Sequence, residues 1–234
     1  MNAINFADTG LYTVGDAASL TGVSKQRVRG WLNGYHKKDG SRSDKRLTGQ
    51  LSPIDGHFAL GFLDLMEVHF ISHFLKRGVK WKTLALAAKY AREMFEVDHP
   101  FASKFISDGS DIYEEKTHAL LVKTADESAD PSLRSLVTNQ FAMYEVLRPL
   151  LIDGITFDDT GYARNWRPFG NLSSVILDPH RSFGKPILDK YSVPTKTLYD
   201  AFITEQDLEA VAEIYEIDIE DVTKAVEFEM RLAG

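Results

Sequence analysis

Residues Leu11 to Leu32 read LYTVGDAASLTGVSKQRVRGWL, and the spacing of their apolar positions decides the first part of the fold. Val14, Ala17, Ala18 and Leu20 recur at helical spacing, Gly22-Val23 interrupts, and Ser24 opens a second run through Val28 and Leu32. The pattern predicts two short helices crossing at a tight turn, with Val14, Ala17, Ala18, Val23, Val28 and Leu32 in the seam. Ala17 and Ala18 are small where the second helix must come close, Gly22 supplies the backbone freedom of the turn, and Ser24 is an N-cap. The outward face of the second helix then carries Lys25, Gln26, Arg27 and Arg29, with Tyr35, Lys37 and Lys38 just beyond. Basic and amide side chains on the first turns of a second helix are what a major-groove reader presents. The competing reading is a packing helix pair whose cations are merely solvated.

The 234 residues allow one large domain or two to three small ones. Cysteine is absent, which removes disulfides, thiolate metal sites and a cysteine nucleophile, and fits a cytoplasmic protein. No apolar run approaches the roughly 20 residues of a membrane span, and no signal-peptide pattern opens the chain. The net charge of −7 is unevenly divided. Residues 1–50 hold eight Lys and Arg against four Asp, a local +4, whereas residues 200–234 hold eleven acids against two bases, a local −9. Phosphate contact needs local positive charge, so this polarity predicts a DNA-facing front and a protein-facing rear.

Asn33 to Ser52 is polar, punctuated by Gly34, Gly40 and Gly49, and carries Lys37, Lys38, Arg42, Lys45 and Arg46. It reads as a turn and hairpin, a wing whose cations face phosphates. Phe62 to Lys76 is a well-buried helix and Trp81 to Phe95 a second one. His69 and His73 stand four apart on the first of these. Without a third ligand or an HExxH arrangement they read as partly buried histidines, and no metal or cofactor is expected. From about Pro100 to Leu188 come short β-prone runs: Asp111-Ile-Tyr, Ala119-Leu-Leu-Val, Gly154-Ile-Thr-Phe, Tyr162-Ala-Arg-Asn-Trp-Arg and Ser174-Val-Ile-Leu. A helix over about Leu133 to Leu151 interrupts them, Asp126 to Pro131 reads as a polar loop, and Trp166 and Phe169 read as core.

The order YTVGDAASLTGVSKQRVRGW, a basic hairpin, FLDL with an apolar helix, and KRGVKWKTL resembles the MerR-type winged helix. Asp64-Leu65 and Gly78 fall on the positions of that family's D-L helix and of its glycine before the next helix. The resemblance implies DNA contacts from Ser24, Lys25, Arg27 and Arg29 and phosphate contact from the wing. Thr13 is counted with the same face. The chain departs from the family in a longer, irregular wing, in Gly30 where an aromatic usually precedes Trp31, and in having neither cysteines nor a long heptad helix.

Shifted by 194 positions, the apolar pattern of the first helix pair reappears near the C-terminus. Val14 falls on Leu208, Ala17 on Val211, Ala18 on Ala212, Leu20 on Ile214, Val23 on Ile217, Val28 on Val222 and Leu32 on Val226. Thr204 and Asp218 are the expected N-caps. The outward face is reversed in charge: Lys25, Gln26, Arg27 and Arg29 become Ile219, Glu220, Asp221 and Thr223. Phosphate would repel this pair, so its acidic face, with Ile219, Glu220, Asp221, Phe228, Met230 and Leu232, is expected to meet a basic protein surface or a second copy. The run DPHRSFGKPIL, then Val193-Pro-Thr, VAEIY and AVEFE is similar to the C-terminal helical domain of VapB-like antitoxins, which accompany PIN-domain ribonuclease toxins.

The expected fold is mainly α with a mixed α+β middle. It comprises a winged helix-turn-helix over 1–98, a small β-rich region over 99–182 and an acidic helix-turn-helix-like domain over 183–234. The expected protein is a non-enzymatic, homodimeric antitoxin that binds double-stranded operator DNA, represses its own operon and neutralises a PIN-domain toxin. The alternative is a MerR-like regulator without a toxin, sensing a small molecule through its middle region. No nucleophile–base spacing, phosphate loop or metal cluster supports an enzyme.

Overall fold

The computed structural model describes residues 6–36, 40–43, 45–47, 49–76, 78–103, 122–131, 154–168, 170 and 173–233. It is mainly helical, with three small antiparallel sheets. After α1 (Phe6–Thr9) and β1 (Tyr12–Thr13) come α2 (Val14–Thr21) and α3 (Lys25–Asn33), the two helices expected from the opening stretch. Thr13 caps α2 by accepting the Asp16 N–H at 3.1 Å, while the Asp16 carboxylate accepts the Thr13 N–H at 2.8 Å. This reciprocal box satisfies two of the amides a helix start leaves without partners. The chain returns to β1 through β2 (Ala59–Leu60), with Tyr12 opposite Leu60 and Thr13 opposite Ala59.

α4 (Phe62–Lys76) is the centre of the front core, with Leu65, Met66, Val68, Phe70 and Ile71 fully buried. A helix that is apolar on most sides must be covered on most sides. Here α2, α5 (Trp81–Phe95) and a 3₁₀ turn (Pro100–Ala102) supply the cover, together with Ile155, Ala163, Trp166 and Leu177 from the middle of the chain. The start of α4 is capped from a distance: Gln50 Oε1 accepts the Leu63 N–H at 2.8 Å, and Asp64 Oδ2 accepts the N–H groups of Gln50 and Gly61. Asp130 does the same for α5, accepting the Thr83 hydroxyl at 2.6 Å and the Lys80 N–H at 3.1 Å.

His69 lies on α4 with its ring 4.6 Å from that of Trp166 and 4.5 Å from that of His73, whose Nδ1 is 2.9 Å from the His69 carbonyl oxygen. Burial, assisted by the charges of His73 and Lys76, lowers its pKa to about 3. The unfolded chain binds this proton near pH 6.5, so between pH 6.5 and 3 it holds more protons than the native state and stability rises with pH. Acidification from pH 7 to pH 4 is therefore expected to remove on the order of 2–3 kcal/mol through this residue. Urea unfolding at the two pH values should show a smaller acid loss for His69→Leu than for the natural chain.

The middle of the chain forms a hairpin, β3 (Ile155–Phe157) with β4 (Ala163–Trp166), and a meander, β5 (Val175–Ile176), β6 (Ile187–Leu188) and β7 (Val193–Pro194). Trp166 and Leu177 exchange two backbone hydrogen bonds of 2.9 and 2.8 Å, which join the two sheets. Two expectations for this region are corrected. Residues 122–128 are helical, so Val122 is not in a strand and the supposed loop over Asp126 to Pro131 is helix in its first half. Asp111-Ile-Tyr, Phe169 and Leu133 to Leu151 lie outside the described residues. Trp166 is core as expected, 2% exposed.

Three helices close the chain: α6 (Thr195–Glu205), α7 (Leu208–Tyr215) and α8 (Ile219–Ala233). The bounds of α2 and the start of α3, shifted by 194, fall on those of α7 and α8. Val23, Val28 and Leu32 are 6%, 0% and 7% exposed, and their counterparts Ile217, Val222 and Val226 are 5%, 0% and 5%. The capping differs from expectation. Thr204 lies inside α6, where its hydroxyl bonds the Asp200 carbonyl, and α7 is capped instead by Asp207, the counterpart of Thr13. The Asp218 carboxylate is engaged by Lys190 and the Tyr191 hydroxyl. Leu198, Val211, Val222, Ala225 and Phe228 centre a second hydrophobic cluster, and Leu20 of α2 packs against both clusters.

Candidate nucleic-acid interface

α3 begins at Ser24, whose hydroxyl accepts the Arg27 N–H at 3.4 Å. The cap and the burial of Val28, Trp31 and Leu32 orient the helix, so Lys25, Gln26, Arg27 and Arg29 are all exposed along its outer side. Thr13, at the head of α2, is exposed as well, but its hydroxyl is held in the capping box.

Immediately beyond α3 the chain makes an antiparallel bridge between His36 and Arg42, and the Arg42 guanidinium lies 3.3 Å from His36 Nε2. Tyr35 and Ser43 are tied twice, Ser43 N–H to the Tyr35 carbonyl and Tyr35 N–H to the Ser43 hydroxyl, both at 2.8 Å. Lys37 and Lys38 lie outside the described residues. Lys45 is exposed, and the backbone N–H groups of Arg46 and Leu47 donate to the Trp31 carbonyl, returning this segment to the end of α3.

Two features here had no signal in the sequence. The Tyr35 ring lies across α3 so closely that a Cβ on Gly30 would fall 2.2 Å from it, which accounts for a glycine at this position. The Arg46 guanidinium sits 4.9 Å from the Tyr35 ring and 4.5 Å from that of Trp81, which itself stacks on Trp31 at 5.5 Å. Arg46 is thus held by two aromatic faces beside the exposed cations. Trp81 is 35 residues further along the chain, beyond any local pattern.

Gly34 makes the turn from helix to bridge. Its φ of +76° and ψ of 165° belong to a region that only glycine occupies freely, and an added Cβ would stand 2.0 Å from the Ser43 carbonyl oxygen. Gly34→Ala is expected to cost about 2–3 kcal/mol, because backbone cannot move aside as a side-chain tip would. Thermal melts of the two proteins check it.

Of the residues expected to meet a partner at the acidic rear, Ile219, Glu220 and Met230 are exposed. Asp221 and Leu232 are half-buried, Asp221 bonding Ser174 and Lys224. Phe228 is corrected: at 1% exposure it belongs to the rear core, because α8 turns that side toward α6 and α7. The head of the front pair is anchored to a 3₁₀ turn (Ser182–Gly184), with the Tyr12 hydroxyl donating to the Gly184 carbonyl at 2.7 Å and the Leu11 N–H to the Phe183 carbonyl at 2.9 Å.

No protein-family model matches the chain. Its fold is that of a protein of known structure, Rv2018 from Mycobacterium tuberculosis, with a TM-score of 0.67 at 19% identity, over 92% of this chain and 96% of that one. Among named proteins it is similar to one of the same organism called "Putative antitoxin VapB45", at 22% identity over 94% of each. No helix among the described residues is long and apolar enough to cross a membrane.

Proposed function

We propose that this chain is a sequence-specific DNA-binding antitoxin, without catalytic activity, that represses its own operon and neutralises a PIN-type ribonuclease toxin. The observation that carries the DNA-binding part is the capped α3, exposing Lys25, Gln26, Arg27 and Arg29 beside a bridged segment bearing Arg42, Lys45 and the stacked Arg46. In this reading Lys25, Gln26 and Arg27 reach base edges and the remaining cations hold phosphate. The toxin–antitoxin part is supported by the name of the distant relative and by the acidic rear surface, where Ile203, Ile214, Ile219 and Met230 are 42–60% exposed. The chain divides in this reading into a winged DNA-binding part over 1–98, a mixed part over 99–182 and an acidic partner-binding part over 183–234. Two copies bind paired half-sites.

The direct test is fluorescence anisotropy on DNA from upstream of the chain's own gene, across salt concentrations. Tight, sequence-preferring binding that falls steeply with salt supports the repressor; binding no better than to random DNA overturns it. Co-purification with a basic nuclease encoded beside the gene tests the toxin half. One observation favours a MerR-like regulator without a toxin: a cleft of about 350 Å³ between the start of α4 and the β3–β4 hairpin, lined by Gln50, Phe62, Asp158, Tyr162 and Arg164 among others. Its size suits a small effector.

A further inference from the structure

Asp64 and Glu67 lie three residues apart on α4 and are 0% and 2% exposed. His99, just past α5, closes on them from the other side, its Nδ1 3.4 Å from Glu67 Oε2 and 3.9 Å from Asp64 Oδ1. One donor atom from each of the three lies within 4.8 Å of the other two. Among the described residues no Lys or Arg pairs with either carboxylate, so even a protonated His99 leaves this buried group one negative charge in excess. A second observation is independent of charge. Asp64 Oδ2 is satisfied by two backbone N–H groups and Glu67 Oε1 by that of Phe101, but Asp64 Oδ1, facing His99, is fully buried and has no hydrogen-bond partner. Native structures rarely leave a buried carboxylate oxygen in that condition without an ion or a proton to explain it.

We propose that Asp64, Glu67 and His99 bind a divalent first-row transition cation of the zinc type, clamping α4 to the segment after α5. Two carboxylate oxygens and an imidazole nitrogen suit such an ion better than Ca²⁺ or Mg²⁺, which take oxygen ligands. With neutral His99 and both carboxylates ionised the loaded site carries no net charge, and the ion gives Asp64 Oδ1 its missing partner. The burial of the site suits a structural ion, with a second carboxylate oxygen or a water completing the coordination that the three side chains begin. It would hold the helix against which α2 packs, and so the base of the front helix pair. The competing arrangement places a proton on Asp64, whose carboxyl burial holds above the usual carboxylate range.

The test titrates the chelator-stripped full chain with Zn²⁺ and, as an optical probe, Co²⁺. The expected result is saturation at about one equivalent, a higher Tm with Zn²⁺, and affinity weaker by on the order of 100-fold in His99→Gln and Glu67→Gln. Absence of saturable uptake, or uptake equal in the variants, overturns the proposal and leaves an ion cluster balanced by a proton. Should the variants not fold, the Co²⁺ spectrum of the natural chain decides: intense four- or five-coordinate bands at one equivalent support the site, and a weak six-coordinate spectrum overturns it.

Discussion

Arg27→Ala/Arg29→Ala is expected to lower affinity for the upstream DNA by about 100-fold or more and to erase its preference over random sequence. A bidentate arginine–base contact is worth about 1–3 kcal/mol of discrimination, and a second cation lost from the same helix removes a phosphate contact as well. The fold should survive, because both side chains are exposed and the atom of Arg27 that the cap uses is its backbone N–H. Alanine is also the best helix former. Lys45→Ala, run beside it, should weaken all sequences alike and reduce the salt slope by about one. An unchanged preference in the double variant, with normal circular dichroism, would return α3 to the role of a packing helix.

Phe228→Ala should destabilise the rear cluster by about 3–5 kcal/mol, the cost of emptying a fully buried aromatic site that its neighbours only partly refill. The experiment also reports how the two clusters are coupled. All three tryptophans, Trp31, Trp81 and Trp166, belong to the front cluster, so their fluorescence follows the front while far-ultraviolet circular dichroism follows every helix. A rear unit that melts on its own gives a dichroism transition that falls well below the fluorescence one. Leu20, which touches both clusters, and the Tyr12–Gly184 hydrogen bond are the contacts that would make the two transitions move together. Either result leaves Ile219 and Met230 as the exposed apolar candidates on α8, since neither packs in that core.

What is legible along the chain follows the range of the interactions involved. Ser24 as a cap, the α2–α3 pair and the repeat 194 residues later were readable because helix periodicity and capping act within four residues. The misplaced cap at Thr204 came from the same local logic, which cannot tell that Thr195 to Glu205 already forms a helix running past it. Phe228 is ambiguous in sequence for a related reason: an apolar residue on a helix seen alone fits a core or a partner equally well, and the packing of the three rear helices puts it in the core.

The sequence by itself determined where the front helix pair begins, which residues of both pairs face the seam, and that the two outer faces carry opposite charge, because each of these is a property of neighbouring residues. Tertiary structure alone decided the rest. It brought Trp81 and Tyr35 against Arg46, set the Tyr35 ring where a Cβ on Gly30 would meet it, capped α5 from Asp130, and brought His99 to Asp64 and Glu67. All of those contacts except that of Tyr35 with Gly30 join residues well separated along the chain. Their geometry depends on how helices pack around α4, and packing is a property of the whole core rather than of any one stretch.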